Sequence, residues 1–238
     1  MIEIGWAMLV NLLFAAVGVR AGSMNLGGAA CGAMLGCVVY VCLDWRGYVI
    51  LAAFVILGSA MTRLGYERKL QLGGAQTGGG KRGAAHALAK LSVGAACALL
   101  ASALPDPHGR VWTIAFVAAF AAALADTTGT ELGQLYGKRP VLLPTFRPVP
   151  VGTEGAVSLE GTVLGLLGAA VLAGAAGGLR LIRPLDMGVV VLASFVGIIA
   201  ESLLARTGWN NHLLNFLLTA LSALVAAAVA LACAPPHF

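Results

Sequence analysis

The stretch HLLNFLLTALSALVAAAVALAC occupies residues 212–233 and contains no Asp, Glu, Lys or Arg. About twenty consecutive apolar residues cross the hydrocarbon core of a bilayer as a helix. This stretch therefore predicts a membrane-spanning helix. Seven apolar stretches of similar character precede it, so the expected fold is an all-α polytopic transmembrane bundle of about eight spans, within a range of seven to nine. The spans lie near residues 4–19, 26–43, 47–61, 84–104, 111–125, 158–176, 187–204 and 212–233.

The composition of the whole chain agrees with this interpretation. Of its 238 residues, 59% are hydrophobic and only 11% are charged, whereas a soluble domain carries about a quarter charged residues. Its 32 glycines suit closely packed membrane helices. The net charge of +5 is scattered among apolar runs and is better explained by loops beside a membrane than by a nucleic-acid-binding face. Residues 1–238 are therefore predicted to form one transmembrane domain surrounded by membrane lipids, with no nucleic-acid partner.

Basic residues are distributed unevenly between the two ends of the predicted spans. With eight spans, eleven Lys and Arg fall on one side and four on the other. Because cytoplasmic loops carry the excess of basic residues, the richer side is expected to be cytoplasmic and both termini outside. We expect a multi-pass protein of a bacterial inner membrane. The two longest connections, residues 62–83 and 126–157, both fall on the cytoplasmic side and are predicted to form its active site.

Two carboxylates open the second of these connections. Asp126 ends a run of alanines and Glu131 follows five residues later, about 140° further round a regular helix. Gly129 permits a break between them, and a broken helix would aim both carboxylates at one cleft. Mg²⁺ is held by one or two carboxylates together with substrate phosphates, so Asp126 and Glu131 are candidate metal ligands. The alternative is a pair of solvated acids at the membrane interface.

The rest of the second connection combines basic residues with glycine turns. Backbone N–H groups of such turns, and the start of a helix near residue 158, favour an anion. The alternative is an ordinary loop with a serine N-cap. The candidate phosphate-binding and catalytic residues here are Lys138, Arg139, Gly152, Thr153, Glu154, Gly155, Ser158 and Glu160.

The first connection contains GGAQTGGGKRG at residues 73–83. It is not the phosphate loop of nucleotide triphosphatases, because Ala75 stands where the first glycine is required and Arg82 where Ser or Thr is required. Lys69, Lys81 and Arg82 are candidate phosphate contacts, and a flexible basic loop is the alternative.

Polar residues also occur in the last two spans. Glu201 and Ser202 lie near the cytoplasmic end of an otherwise apolar span, and an ionisable residue there is a functional candidate. Asn211 and Asn215 lie four residues apart on one face of the last span. They are either substrate contacts or a helix cap with a contact between helices. Because all these polar candidates map to one membrane face, an enzyme acting on a lipid with a charged head is favoured over a transporter with a midplane site.

The motifs resemble a known family. The segments DTTGTELGQLYGKRP, TFRPVPVGTEGAVSLEGT, SAMTRLGYERKLQLGGAQTGGGKRG, GIIAESLLA and WNNHLLNFL are similar to those of the phytyl-phosphate kinases of tocopherol synthesis and their bacterial and archaeal homologues. The resemblance implies a CTP-dependent kinase that converts a prenyl monophosphate to the diphosphate. His86 and Lys90 depart from it, since amide or small residues are expected there.

The implied chemistry agrees with the residues. A phosphate monoester is already anionic at neutral pH, so the reaction needs positioning and charge neutralisation rather than a strong base. Mg²⁺ and CTP are the expected cofactor and phosphoryl donor. A prenol kinase, in which Asp126 or Glu154 would act as base, and a CTP-dependent cytidylyltransferase acting on a lipid phosphate are the alternatives, followed by a transporter.

Overall fold

The computed structural model describes residues 2–72, 80–143 and 145–233. Over these residues the chain is an all-α bundle, which confirms the expected fold class. Six helices are long and apolar enough to span a membrane, and the first helix is a shorter apolar one. The helices are α1 (Ile2–Arg20), α2 (Leu26–Arg63), α3 (Tyr66–Gln71), α4 (Ala84–Ala103), α5 (His108–Tyr136), α6 (Leu159–Gly178), α7 (Pro184–Leu204) and α8 (Asn211–Ala232).

Helix α2 is a hairpin of two arms. Its backbone leaves the helical region at Leu43 and Asp44, and Asp44 has a φ of 54°. Gly28 in the first arm and Gly58 in the second both lie against Arg82. Thirty residues of continuous helix would separate those glycines by about 45 Å, so the arms must fold back on each other. Divided at this break, the long helices and α1 together give the eight antiparallel segments that the sequence predicts.

Helix α5 is the centre of the bundle. Every residue from Ile114 to Ala125 is buried, as expected of a helix that is apolar on all sides. Phe120 packs against Phe116 and against Phe54 of α2, with ring centroids 5.1 and 5.7 Å apart. Helices α2, α4, α6, α7 and α8 surround it. A polar residue on α5 is therefore enclosed by protein rather than by lipid.

Helix α6 approaches α5 closely because glycines face each other. A Cβ atom added at Gly161 would lie 2.8 Å from the carbonyl oxygen of Gly129, and one added at Gly165 would lie 2.7 Å from that of Ala125. Only glycine permits this separation, as in other closely packed membrane helices. The register of the α5–α6 contact is thereby fixed next to Asp126.

The predicted second connection begins later than expected. Residues 126–157 are predicted to form a loop, but α5 continues to Tyr136 and the connection starts at Gly137. The polar segment stays helical because α6 packs on its glycines and because its two acids have lysine partners on other helices. Within the connection, β1 (Val141–Leu142) pairs with β2 (Arg147–Pro148) and β3 (Ala156–Val157), both antiparallel.

The first connection is also partly helical, since α3 lies inside residues 62–83. Its glycine-rich residues 73–79 lie outside the described part of the chain. The turn that follows α1, α3, the start of α4, the β1–β3 connection and the 3-10 turn Ala205–Thr207 all lie at one end of the bundle, which we call the α3 end. The α2 break and the α4–α5 and α6–α7 turns lie at the other, the Asp186 end.

Candidate active site

A buried ion pair joins α3 to α5. The Lys69 ammonium lies 2.5 Å from Oε2 of Glu131, and the two side chains are 0% and 2% exposed. Lys69 also donates to the carbonyl oxygens of Met61 and Thr62, at 3.1 and 2.8 Å. All three ammonium hydrogens are thus used inside the protein. Lys69, predicted as a phosphate contact, instead anchors the end of α2 to α5.

A second ion pair lies one turn and a half back along α5. The Lys90 ammonium, on α4, is 2.7 Å from Oδ2 of Asp126 and donates to the Thr127 hydroxyl at 2.9 Å. The Thr127 hydroxyl donates in turn to the carbonyl oxygen of Ala123. Asp126 is 17% exposed, whereas Lys90 is 4% exposed. Asp126 is therefore the more accessible of the two acids on α5.

Asp126 and Glu131 do not share one cleft. Because α5 is continuous through Gly129, the two residues keep the separation of a regular helix, about 140° and about 7.5 Å along the axis. Each carboxylate has its own lysine. No cluster of three or more His, Cys, Asp or Glu suited to a metal occurs among the described residues. A single Mg²⁺ ion held jointly by Asp126 and Glu131 does not fit this geometry, whereas one held by Asp126 with substrate phosphates does.

Other acids approach Asp126 from separate elements. Glu201, half-buried on α7, lies within electrostatic range of Asp126, of Lys90 and of Glu154 in the α5–α6 connection. Ser202 beside it is buried. The site thus brings together residues from α4, α5, α7 and a connection, which are up to about 110 residues apart in the chain.

Arg82 and His86 lie near Lys90 at the same end of the bundle. Arg82 is 8% exposed, contacts Ser59 and the Val55 carbonyl oxygen at 3.3 and 3.5 Å, and packs over the Phe54 ring. Burial lowers the pKa of the Arg82 guanidinium to about 10 and Glu131 acts in the opposite direction, so Arg82 remains protonated at neutral pH. His86 lies within electrostatic range of Arg82 and Lys90. The predicted phosphate contact Lys81 is exposed at the same end.

The α5–α6 connection forms a turn above these residues. The glycines at 152 and 155 have φ of 88° and 73°, so both turns require glycine, and a Cβ at Gly155 would also strike Ala205. The hydroxyl of Thr153 donates to the carbonyl oxygen of Pro150 at 2.7 Å. Ser158 is the N-cap of α6 and accepts from the Gly161 amide, as the sequence predicts. Glu154 is exposed and available to a ligand.

The remaining predicted residues lie at the edge of this region. Lys138 and Arg139 are exposed, and the Lys138 amide lies 3.4 Å from Oε2 of Glu160. Asn211 and Asn215 are not the helix cap, because Asn210 caps α8. The side-chain amide of Asn215 donates to the backbone carbonyl oxygen of Asn211. The capping alternative for Asn211 and Asn215 therefore does not hold, and their role as substrate contacts stays a prediction.

Lys90 and His86 are the residues that sequence reasoning undervalued. The sequence marks both only as departures from the family pattern. The signal for Lys90 was present, because a lone lysine inside an apolar helix needs an internal partner. Its partner Asp126 is 36 residues away, so only the packing of α4 on α5 reveals the pair.

A scan against protein-family models matches residues 9–211 to the integral membrane protein family DUF92. The chain belongs to the DUF92 family. The match covers all the helices that supply the buried charged residues described above. No solved structure matches the chain.

The chain is similar to proteins from several organisms, as three relatives illustrate. An uncharacterized membrane protein of Synechocystis sp. is 36% identical over 81% of this chain and 77% of its own length. The chloroplastic protein VTE6 of Arabidopsis thaliana is 32% identical over 85% of this chain and 64% of its own length. An uncharacterized membrane protein of Methanocaldococcus jannaschii is 34% identical over 56% of this chain and 52% of its own length. The chain therefore spans less than two thirds of VTE6.

Proposed function

We propose that this protein is a nucleotide-dependent prenyl-phosphate kinase that transfers a phosphoryl group to a prenyl monophosphate at the α3 end of the bundle. The observation that carries the proposal is the cluster of Lys90, Asp126 and Glu201 beside Glu154 of the α5–α6 connection. The similarity to VTE6 and the resemblance of the motifs to phytyl-phosphate kinases support it.

The arrangement suits a substrate with a lipid tail and a doubly charged head. Lys90 on α4 and Arg82 just before α4 would hold the charged head of the lipid. Glu154 and the glycine turns border the side from which a soluble nucleotide arrives. An oxygen of the prenyl monophosphate attacks the γ-phosphorus of CTP. The bond from that phosphorus to the β-bridging oxygen breaks, and CDP leaves with the electron pair. The nucleophile carries no proton that must be removed, so Lys90, Arg82 and Lys81 contribute positioning and charge neutralisation.

Mg²⁺ is part of the proposal as the ion that accompanies the nucleotide. When bound, it would neutralise the charge that develops between the β- and γ-phosphates. Asp126 is the carboxylate that fits this role, because it is partly exposed and Glu131 is enclosed by its pair with Lys69. Lys90 would hold the Asp126 side chain in one orientation and stay close to the transferring group.

The orientation of the protein in the membrane is part of the same proposal. We place the α3 end at the cytoplasm of a bacterial inner membrane, because nucleoside triphosphate is available there and because most basic residues lie at that end.

The test is Asp126→Asn in purified protein supplied with CTP labelled at the γ-phosphate and a panel of prenyl monophosphates. Turnover should fall about a hundredfold or more, because the isosteric amide removes the charge that holds the metal-bound nucleotide. Asp44→Asn is the matched control. Asp44 is exposed at the tip of the α2 hairpin, at the opposite end, and asparagine tolerates its positive φ.

The products separate the alternatives. CDP with a prenyl diphosphate supports the kinase, whereas pyrophosphate with a CDP-lipid indicates a cytidylyltransferase, and transfer to the free alcohol indicates a prenol kinase. Wild-type rates in Asp126→Asn, or full activity in excess chelator, would refute the assigned role of Asp126.

A further inference from the structure

A cavity of mixed character lies between α1, the two arms of α2 and α4. Its enclosed part has a volume of about 50 Å³, and the rest is continuous with the surroundings. Its walls are mainly apolar, and the polar groups collect at its ends. The wall residues used below are Asn11, Phe14, Gly32, Tyr48, Arg82, His86 and Lys90.

One end of the cavity is cationic. Arg82, His86 and Lys90 line it there, and Lys90 is the residue that pairs with Asp126. Among the residues that line the cavity, Nη2 of Arg82, Nε2 of His86 and the hydroxyl of Tyr48 are buried without a hydrogen-bond partner, and the first two lie at this end. A buried guanidinium nitrogen with no acceptor costs free energy, so this end is suited to an anion that would supply the acceptor.

The other end of the cavity is closed by aromatic rings. Tyr48 packs edge-on against Phe14 and Tyr40, with centroids 6.2 and 5.8 Å away. Gly36 lies beside Tyr48, and Gly28 lies beside Arg82. The Arg82 guanidinium lies beside the Val55 carbonyl oxygen, seven residues of helix from Tyr48 on the same arm, so the floor lies about 10 Å from that cation.

We infer that this cavity binds the prenyl chain of the lipid phosphate, with its head at Arg82 and Lys90, and that the Tyr48 floor limits the length of chain accepted. The inference rests on the proposed function and names a chain pocket for it. Charge complementarity at one end and apolar walls along the rest match a single amphiphilic anion. Lys90 lines the cavity and also pairs with Asp126. A phosphate head bound at Lys90 would therefore lie beside the reacting groups.

A second apolar hollow between α6 and α7 provides the comparison. It is lined by Leu166, Ala170, Ala173, Met187, Gly188, Val191, Leu192 and Phe195. No charged side chain is among these residues, so nothing there would hold a phosphate. Ordinary lipid chains would occupy this hollow, and a prenyl phosphate would have no reason to prefer it.

Gly32→Leu fills the proposed pocket without a clash in the backbone. Gly32 lines the cavity, and a Cβ added there meets no atom within 4 Å. Gly28 and Gly36 are unsuitable because an added Cβ would strike Arg82 and Asn11. Gly174→Leu is the matched control, since Gly174 is exposed on α6 and its Cβ also meets nothing within 4 Å.

The first measurement is kcat/KM for geranyl and geranylgeranyl monophosphate in both variants. Gly32→Leu should lower the ratio of the long to the short substrate about tenfold or more, since hydrophobic pockets discriminate by this much per methylene or larger group. Gly174→Leu should keep the wild-type ratio. An unchanged ratio in Gly32→Leu, or an equal loss with both substrates, would overturn the pocket.

The second measurement does not depend on turnover. A geranylgeranyl monophosphate with a diazirine at its far end is photolysed on the wild-type protein, and the labelled peptides are mapped. Labelling near Phe14 and Tyr48 that Gly32→Leu reduces supports the pocket, even if no kinase activity is found. Labelling at the α6–α7 hollow, or equal labelling by a diazirine phospholipid, overturns it. Absence of turnover with every prenyl monophosphate would refute the proposed function separately.

Discussion

The two ends of the bundle hold their charged residues in different ways. At the α3 end, Lys69–Glu131 and Lys90–Asp126 are ion pairs whose lysines are almost completely buried. At the Asp186 end, the Asp186 carboxylate is buried, but its partners Arg110 and Arg183 are 37% and 49% exposed. The first pairs tie different helices to the central one. The second group mainly completes the start of α7, where the Arg183 amide also donates to Asp186.

The buried pairs join helices to α5, and under the proposed function Lys90–Asp126 also serves the reaction, whereas the Asp186 group serves a helix terminus. Removing two ions from water costs solvation free energy that their mutual attraction often does not recover. A buried ion pair is therefore weak evidence that the pair stabilises the fold. The Asp186 end avoids this cost by leaving its arginines in contact with solvent. The α3 end bears this desolvation cost in two ion pairs, next to the α5–α6 connection with its glycine turns. We expect substitutions at the two ends to differ accordingly.

The largest contrast expected is in accessibility from outside the cell. Thr145 is exposed in the α5–α6 connection, and Leu185 is 83% exposed at the start of α7. In a cysteine-free background, Leu185→Cys should react with an impermeant thiol reagent in intact cells and Thr145→Cys only after lysis. Labelling of Thr145→Cys in intact cells would invert the two ends and remove the cytoplasmic nucleotide from the proposed site.

The next largest effect is expected from Lys69→Met. It leaves the Glu131 carboxylate buried with no cation, which should lower the free energy of unfolding by roughly 3–5 kcal/mol. The measurement is a detergent titration of purified protein followed by circular dichroism. Lys69→Met combined with Glu131→Met should recover most of the loss, because the double variant leaves no uncompensated charge. A loss below about 1 kcal/mol in the single variant would contradict this account of the pair.

A smaller effect is expected from the glycine contact beside the buried pairs. Gly161→Val places a side chain against the Gly129 carbonyl oxygen and should cost about 1–3 kcal/mol. Gly178→Val, at the Asp186 end of the same helix, is the control. Its added Cβ meets nothing within 4 Å, so only the helix propensity changes. Equal melting temperatures for the two variants would mean that α5 and α6 separate at little cost.

The smallest effect is expected from Arg110→Gln. The arginine is partly exposed and Asp186 keeps its contacts with Arg183, so the loss should be about 0–1 kcal/mol and should shrink further in high salt. The same detergent titration at low and high ionic strength checks it. A large loss that persists in salt would show that the two ends do not differ as described.

Much of the fold could be predicted because apolar length alone identifies helices that span a membrane. The break of α2 at residues 43 and 44 coincides with the predicted boundary between two spans, where Asp44 and Arg46 interrupt the apolar run. The Ser158 cap was predictable from a local motif. The continuation of α5 to Tyr136 was not, because its polar residues are stabilised by lysines from α3 and α4, and no local pattern records those partners.

The same limit explains the site. The sequence identified Asp126, Glu131 and Glu201 as candidates, since acids near apolar helices are uncommon. It could not show that Lys69 is enclosed by Glu131 or that Lys90 reaches Asp126. Those pairs join residues 62 and 36 positions apart and depend on how the helices pack.

The pairing of α4 with α5 also bears on how the chain enters the membrane. An uncompensated Lys or Asp at the centre of a spanning helix costs about 2.5–3.5 kcal/mol at insertion. The chain is synthesised from its N-terminus, so Lys90 on α4 is made before Asp126 on α5, with a short turn between the helices. The two can therefore leave the translocation channel side by side as a neutral hairpin. Lys69 likewise precedes Glu131, so each acid of the central helix meets a cation already in position when it is inserted.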